Sequence, residues 1–265
     1  MHNAKVQKME EDEKCTRFFF QKTREKRHLM SSMLDSSGRI VEDSEGVKVV
    51  ENFYRDLYNI KATDDTLIEW FLSQLEPDSV RDEEEEEKDP ELTLEELTQA
   101  AKTMNTGKTP GPDGIPGEYY HLFWDTLKVH LAEVYRAVYR EKRLGPSMRE
   151  SVITLLHKKG EVKDLRNWRP ISLLCVDYNI LAKALMLRLQ VHLPLVIGPD
   201  QACGVPGRSI TDILMLTREI LTYSREWNHP LCLFNLDQEK AFDRVSHEYM
   251  YKVMDQMKFA PGLGE

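Results

Sequence analysis

SVITLLHKKGEVKDLRNWRPISLL, residues 151–174, carries the pattern that decides how the rest of the chain is read. A run rich in β-branched and apolar residues, 151–160, enters a lysine-rich turn, and a second run, 167–174, returns from it. Two such runs around polar, glycine-containing residues predict an antiparallel hairpin. Its tip is long and positive: Lys158, Lys159 and Lys163 lie on the turn, and Arg166 and Arg169 follow. A cationic tip of this kind suits a polyphosphate, because lysine offers a point charge and arginine a planar fork to phosphate oxygens. A solvated charged turn is the alternative. Trp168 has two readings, a surface on which a base stacks or a core residue.

Downstream, residues 231–250 read LCLFNLDQEKAFDRVSHEYM. Six largely apolar residues run straight into Asp237, and a second acid follows at Asp243. The run predicts a buried strand that ends in a carboxylate at the rim of a sheet. That placement suits Mg2+, a hard cation that takes oxygen ligands in strict geometry. The alternative is that Asp237 caps the following turn or pairs with Lys240 or Arg244. Between the two stretches a helix is predicted over 179–192, interrupted at Pro194, and QACGVPGRS, residues 201–209, is a loop. Ser209 with Asp212 signals a capped helix running to about residue 225, and Ser246 caps a last one. Gly207 and Arg208 stand at the first of these helix entries, where exposed N–H groups and a guanidinium suit a nucleic-acid phosphate. A simple helix entry explains them equally.

Upstream, Thr93 and Glu96 of TLEE form a capping box, and Leu94, Leu97, Ala101 and Met104 share one helix face. TGKTPGPDGIPG, residues 106–117, then breaks any regular structure with four glycines and three prolines. It fails as a nucleotide P-loop: Lys102 stands where the first glycine is needed, and Pro110 spoils the helix start. A rigid surface turn is the reading that composition supports. A helix over 118–140 follows. Nearer the N-terminus, HLMSSML and RIV flank DSSG and predict a hairpin. Val47, Val50, Phe53, Tyr54, Leu57 and Tyr58 then fall at helical spacing. The first thirty residues are charged around RFFFQK and read as helix.

At 265 residues the chain is long enough to bury a sizeable core, and the order of elements is α+β with helices between a few strands. No apolar run approaches the roughly 20 residues of a membrane span. The N-terminus lacks an apolar signal core, which predicts an intracellular protein. The cysteines at 15, 175, 203 and 232 have no CxxC spacing and are expected as free thiols. The net charge of −9 argues at first against a nucleic-acid partner. The charge is uneven, however. Residues 1–100 carry 14 basic and 26 acidic side chains, whereas residues 142–210 carry 11 basic and 5 acidic. The acid concentrates in 76–91, a self-repelling run read as a solvated linker, so the local basic stretch is the better guide to partners.

Taken in order, GKTPGPDGIPGEYY, VITLLHKKGEVKDLRNWRPISLL, QACGVPGRSITD and LDQEKAFDRV resemble the reverse transcriptases of non-LTR (LINE-type) retrotransposons, and RFFFQ and VVENFYRDLY resemble the segment that precedes the polymerase there. The resemblance implies an incomplete right-hand polymerase, fingers plus partial palm. Residues 1–75 would be a mostly helical N-terminal extension, 76–91 an acidic linker and 92–265 the truncated reverse transcriptase domain. It also implies that Lys158 or Lys159, with Arg169, holds the triphosphate of an incoming dNTP. Phe242 would be the steric gate against a ribose 2′-OH. Lys108, Gly207 and Arg208 would lie on template or primer, with Arg208 the main contact. Asp237 would be the catalytic carboxylate and a ligand of both Mg2+ ions (or Mn2+), assisted by the backbone carbonyl of Gln238. RNA template, DNA primer and dNTPs are the implied partners, no membrane is involved, and the nucleus and cytoplasm are the implied location.

The family's second palm motif carries paired aspartates after a short apolar turn. Asp64-Asp65 is the only Asp-Asp dipeptide in this sequence, and it is not in that setting. Because each Mg2+ needs several oxygen ligands, Asp237 alone does not hold two. The sequence therefore predicts a fragment of an RNA-directed DNA polymerase that does not polymerise alone. The alternatives are an RNA or primer-template binding fragment without catalysis, or a relic with no function.

Overall fold

The computed structural model describes residues 32–35, 37–59, 64–75, 91–238 and 240–259. The RFFFQK segment, Cys15 and nearly all of the acidic linker lie outside the described residues. The architecture is mixed, with many helices and two small antiparallel sheets, compatible with part of a reverse transcriptase domain. The chain forms two compact units, described here as residues 32–59 with 91–184, and residues 64–75 with 185–259.

The first unit begins with strands β1 (Ser32–Leu34) and β2 (Ile40–Glu42), paired antiparallel with Met33 opposite Val41. The DSSG turn closes as the sequence predicts. Asp35 Oδ1 accepts from the Ser37 and Arg39 amides, and Gly38 takes a positive φ of 81°. Helix α1 (Asp43–Tyr58) follows at once.

The hairpin of residues 151–174 is present over nearly its whole length. Strand β3 (Ser151–His157) pairs antiparallel with β4 (Trp168–Leu174), from Ser151 opposite Leu174 to His157 opposite Trp168. The Lys158 N–H donates to the Asn167 carbonyl at 2.9 Å and carries the ladder one residue beyond β3. Side chains alternate across a ladder, so Leu155, His157, Trp168 and Pro170 share one face. Leu156, Lys158, Arg169 and Ile171 share the other. The first face is the buried one. Leu155 and Trp168 pack with Leu165, Met33, Val41 and Tyr54, and Val50, Phe53 and Leu57 of α1 border that core. Trp168 is therefore a core residue, 5% exposed, with its indole N–H donating to the Val162 carbonyl at 2.7 Å. Base stacking by Trp168 is excluded by that burial.

The rest of the first unit is helical. Thr93 and Glu96 form the predicted capping box at the start of α3 (Leu94–Lys102). Helix α4 (Gly117–Glu141) packs against it: Leu97, Ala100, Tyr120 and Trp124 are buried, and the Trp124 indole donates to Thr98 Oγ1 at 3.1 Å. Helix α4 ends where Lys142 takes a left-handed conformation, just before Gly145-Pro146. Helix α5 (Val176–Gln190) starts three residues earlier than its sequence pattern indicates and buries Val176, Ile180, Leu181 and Ala184. Tyr135 of α4 reaches it, donating its hydroxyl to the Asp177 carbonyl at 2.8 Å.

The second unit holds α2 (Asp65–Ser73), the end of α5, the short α6 (Leu193–Val196), α7 (Ile210–Glu226), the short α8 (Ala241–Arg244) and α9 (His247–Gln256). Asp64 caps α2 by accepting from the Thr66 and Leu67 amides, Ser209 and Asp212 form the predicted box on α7, and Ser246 caps α9. Helix α9 meets α2 through Lys252, which pairs with Asp65 at 3.2 Å, and through an edge contact between Phe71 and Tyr249.

One expectation fails here. LCLFNL, 231–236, forms no strand, and Leu231, Leu233, Phe234 and Leu236 are all exposed, Leu236 to 91%. A strand exists only where a neighbour pairs its backbone groups. Among the described residues, both sheets belong to the first unit.

TGKTPGPDG turns out to be a packing element. An added Cβ at Gly111 would lie 2.4 Å from the Cys175 backbone nitrogen and 2.5 Å from the Leu174 carbonyl carbon, where β4 hands over to α5. Only a residue without a side chain permits that approach. Gly111→Ala should therefore push the loop away and cost about 1–3 kcal/mol of first-unit stability, as overpacking typically does. A chemical denaturation midpoint equal to that of the unsubstituted chain would contradict the close contact.

Candidate nucleic-acid and nucleotide interface

The residues singled out by the sequence divide between the units. Lys108, Lys158, Lys159 and Arg169 belong to the first, and Gly207, Arg208, Asp237, Gln238 and Phe242 to the second. In the first unit, Lys158 and Arg169 are both exposed and are diagonal neighbours on the hairpin face opposite the core. Lys159 is exposed at the turn, where the ladder has ended and the two-residue alternation no longer fixes a face. Arg166 is committed locally, forming a two-pronged pair with Asp164 at 2.8 Å.

The turn itself is rigidly tied. The carbonyls of Glu161, Val162 and Lys163 accept in succession from Asn167 Nδ2 at 3.0 Å, Trp168 Nε1 at 2.7 Å and the Leu34 amide at 3.0 Å. Gly160 sits against the Asn167 amide with a φ of 87°, a backbone state and a closeness that favour glycine. Neither Asn167 nor Leu34 stood out in the sequence. Asparagine is the one sequence signal available, a residue whose side chain favours local backbone bonds.

Lys108 lies half-buried in the glycine-proline loop. That loop is fastened to α4 by the Gly107 amide, which donates to the Glu118 carboxylate, and by a 3.1 Å contact between His121 Nε2 and the Met104 carbonyl. Helix α4 starts at Gly117, well beyond Thr109, as the failed P-loop comparison requires. The Gly107 amide holds the Glu118 carboxyl below the usual glutamate range. A depressed acid stabilises the fold above its unfolded value and loses that contribution as pH falls through its folded value.

In the second unit Gly207 has a positive φ of 76° just before α7. The Arg208 guanidinium turns back into its own loop: it donates to the carbonyls of Gln201 at 2.9 Å, Ile197 at 2.7 Å and Pro194 at 3.3 Å, and also to that of Gly198. Both terminal nitrogens are thus bonded within the chain. A phosphate contact through them would require giving up these bonds.

Asp237 and Gln238 are exposed and lie in no regular element, and Phe242, in α8, is fully exposed at 102%. The rigid sheet rim expected for Asp237 is absent because the strand before it does not form. No group of three or more His, Cys, Asp or Glu side chains among the described residues is arranged to hold a metal ion. A single exposed carboxylate does not fit the two-Mg2+ clamp of phosphoryl transfer. Cys175, Cys203 and Cys232 are free, as expected, with Cys175 buried.

Residues 156–262 match the family model described as reverse transcriptase (RNA-dependent DNA polymerase). Over 261 residues the chain is 36% identical to a transposon TX1 protein of Xenopus laevis, described as an uncharacterized 149 kDa protein; the match covers 97% of this chain and 20% of that one. This is a reverse transcriptase segment of the non-LTR retrotransposon type. It is also 26% identical over 177 residues to a probable RNA-directed DNA polymerase from transposon BS of Drosophila melanogaster, covering 65% of this chain and 19% of the relative. A third similar protein, at 25% over 170 residues, is a retrovirus-related Pol polyprotein from type-1 retrotransposable element R1 of Bradysia coprophila, with 63% of this chain and 17% of the relative covered. The reverse transcriptase segment thus spans about a fifth or less of the length of these relatives. No helix among its described residues is long and apolar enough to cross a membrane.

Two measurements check this geometry. The Gly107 amide resonance should titrate with Glu118 at a midpoint below the ordinary glutamate value; a midpoint at or above that value would dissolve the tie. Arg208→Lys removes the fork that gathers the loop carbonyls. It should cost about 1.5–3 kcal/mol, the worth of bonds from a charged donor. Amide exchange should accelerate over 197–211 while the β3–β4 ladder is unchanged. Unchanged exchange there, with weakened RNA binding, would make Arg208 a phosphate contact instead.

Proposed function

We propose that this chain supplies the nucleotide-gripping and template-binding part of an RNA-directed DNA polymerase, and that it does not polymerise DNA alone. The observation that carries the proposal is the two-sided hairpin: its inner face is sealed by Trp168 and Leu155, and its outer face carries Lys158 and Arg169 together. An ammonium and a planar guanidinium carried at diagonal positions on one face of the ladder complement the oxygens of a triphosphate. The alternation favours Lys158 over Lys159 as the nucleotide contact. The local excess of basic residues over 142–210 supports attraction of an RNA template and DNA primer.

The chemistry would be in-line attack by a primer 3′-OH on the α-phosphate, with divalent metal ions as in reverse transcriptases generally. In this chain Asp237 and the Gln238 carbonyl are the oxygens offered, with Phe242 as the group that would crowd a ribose 2′-OH. They do not complete a metal site, and no further step is assigned to them. The binding role therefore stands ahead of the catalytic one.

Titration with a dNTP tests the grip. Lys158→Ala should weaken binding about tenfold, the loss of one charge-assisted contact of about 1.4 kcal/mol, and Lys159→Ala distinctly less. Equal effects would remove the assignment to Lys158. Single-stranded RNA should bind at low salt and release steeply as salt rises; no binding at low salt would end the template-binding reading. Primer extension with Mg2+ that is lost in Asp237→Ala would show that the chain is catalytic after all.

A further inference from the structure

Residues 32–59 belong to the same compact unit as the basic hairpin, although a stretch assigned to the other unit separates them in sequence. Met33 and Val41, opposite each other in the β1–β2 ladder, are 2% and 3% exposed and lie in one core with Leu155, Leu165 and Trp168. Tyr54 of α1 completes that core. The Leu34 amide also reaches the hairpin turn directly and captures the Lys163 carbonyl at 3.0 Å. Of the three successive turn carbonyls at 161–163, two are held from within the hairpin, by Asn167 and Trp168, and the third is held by β1.

A two-stranded hairpin by itself is marginally stable in water. A ligand that needs the ordered form then binds with an affinity reduced by the fraction of chains that are ordered. We infer that β1, β2 and α1 form a brace that holds the hairpin ordered before any nucleotide arrives, with Met33 and Leu34 as positioning residues for Lys158 and Arg169. This rests on the reading of the outer hairpin face as the triphosphate grip. The brace touches the inner face and the turn, so it sets the ladder on which the two cations stand without contacting the ligand. The N-terminal residues thus have a defined part in nucleotide affinity.

The test uses the full chain and two independent readouts. Amide exchange at Lys158 and Asn167 reports the ladder end and the turn. Titration with inorganic triphosphate, and separately with a dNTP, reports the grip. Met33→Ala opens the shared core, and Leu34→Pro removes the N–H that reaches Lys163. Val47→Ala, at an exposed site on α1, is the control. Exchange protection across α3 and α4 serves as the check that the remainder of the unit is folded.

Met33→Ala and Leu34→Pro should each speed exchange at Lys158 and Asn167 and weaken triphosphate binding in proportion, about tenfold if one chain in ten stays ordered. Val47→Ala should change neither. Lys158→Ala should weaken triphosphate binding about tenfold, as for a dNTP, and leave exchange at Asn167 as it was. Exchange at Lys158 and Asn167 that ignores both brace variants would overturn the brace. Faster exchange in a chain whose unsubstituted form binds no triphosphate would overturn the triphosphate reading alone and leave the brace standing. Faster exchange with undiminished triphosphate affinity would overturn the link between them.

Discussion

The burial of Trp168 is the constraint on which the first unit depends. Its indole fills the space between the hairpin, β1, β2 and α1, and its N–H finds the Val162 carbonyl, so a large side chain is buried without a stranded polar atom. Once that ring fixes the inner face of β4, alternation leaves no choice about its neighbour: Arg169 must point outward. The cationic face is therefore a consequence of how the apolar face is packed. The same logic reaches the turn, since the carbonyl that Trp168 captures belongs to the segment linking the two strands.

The parts of the fold legible in the sequence are those set by near neighbours. The capping boxes at Thr93 and Ser209, the cap at Ser246, the Asp35 turn and the existence of the 151–174 hairpin each depend on residues within a few positions of one another or on two apolar runs around one turn. What the sequence leaves open are choices among distant partners. Trp168 beside Arg169 is equally a stacking surface or a core residue until Met33 and Val41 are seen to cover it. Arg208 beside Gly207 reads as an anion contact because the carbonyls of Pro194, Ile197 and Gln201 do not announce that they lack donors. For 231–236, apolar composition expresses a tendency to pair but names no partner strand. Gly111 was legible as a turn residue, but its approach to the backbone at Leu174 and Cys175 was not.

The two units differ in how much they bury. The first contains a mixed core under the hairpin and also buries Leu97, Trp124 and Ile180 on its helices. The second buries little among its described residues: Ile68, Val205 and Phe259 fall below a tenth exposed, and α7 buries no residue at all. Local opening free energies follow buried contacts, so the part of the chain that carries Asp237 is the softer one. The basic face and Asp237 accordingly differ in kind: one is built into a ladder, whereas the other stands on a described segment with no ladder.

The hydrogen bond from Leu34 to Lys163 joins positions more than a hundred residues apart in sequence. During synthesis the N-terminal hairpin and α1 are made long before the strands that bury Met33, Val41 and Tyr54 exist. At translation speeds of roughly 5–20 residues per second, several seconds pass before Leu155, Leu165 and Trp168 are available to complete the cover of that apolar surface. Distant pairing of this kind slows folding and prolongs exposure to aggregation. The nascent chain thus passes through an interval in which a chaperone has a well-defined surface to shield, and that interval closes only when Trp168 is made.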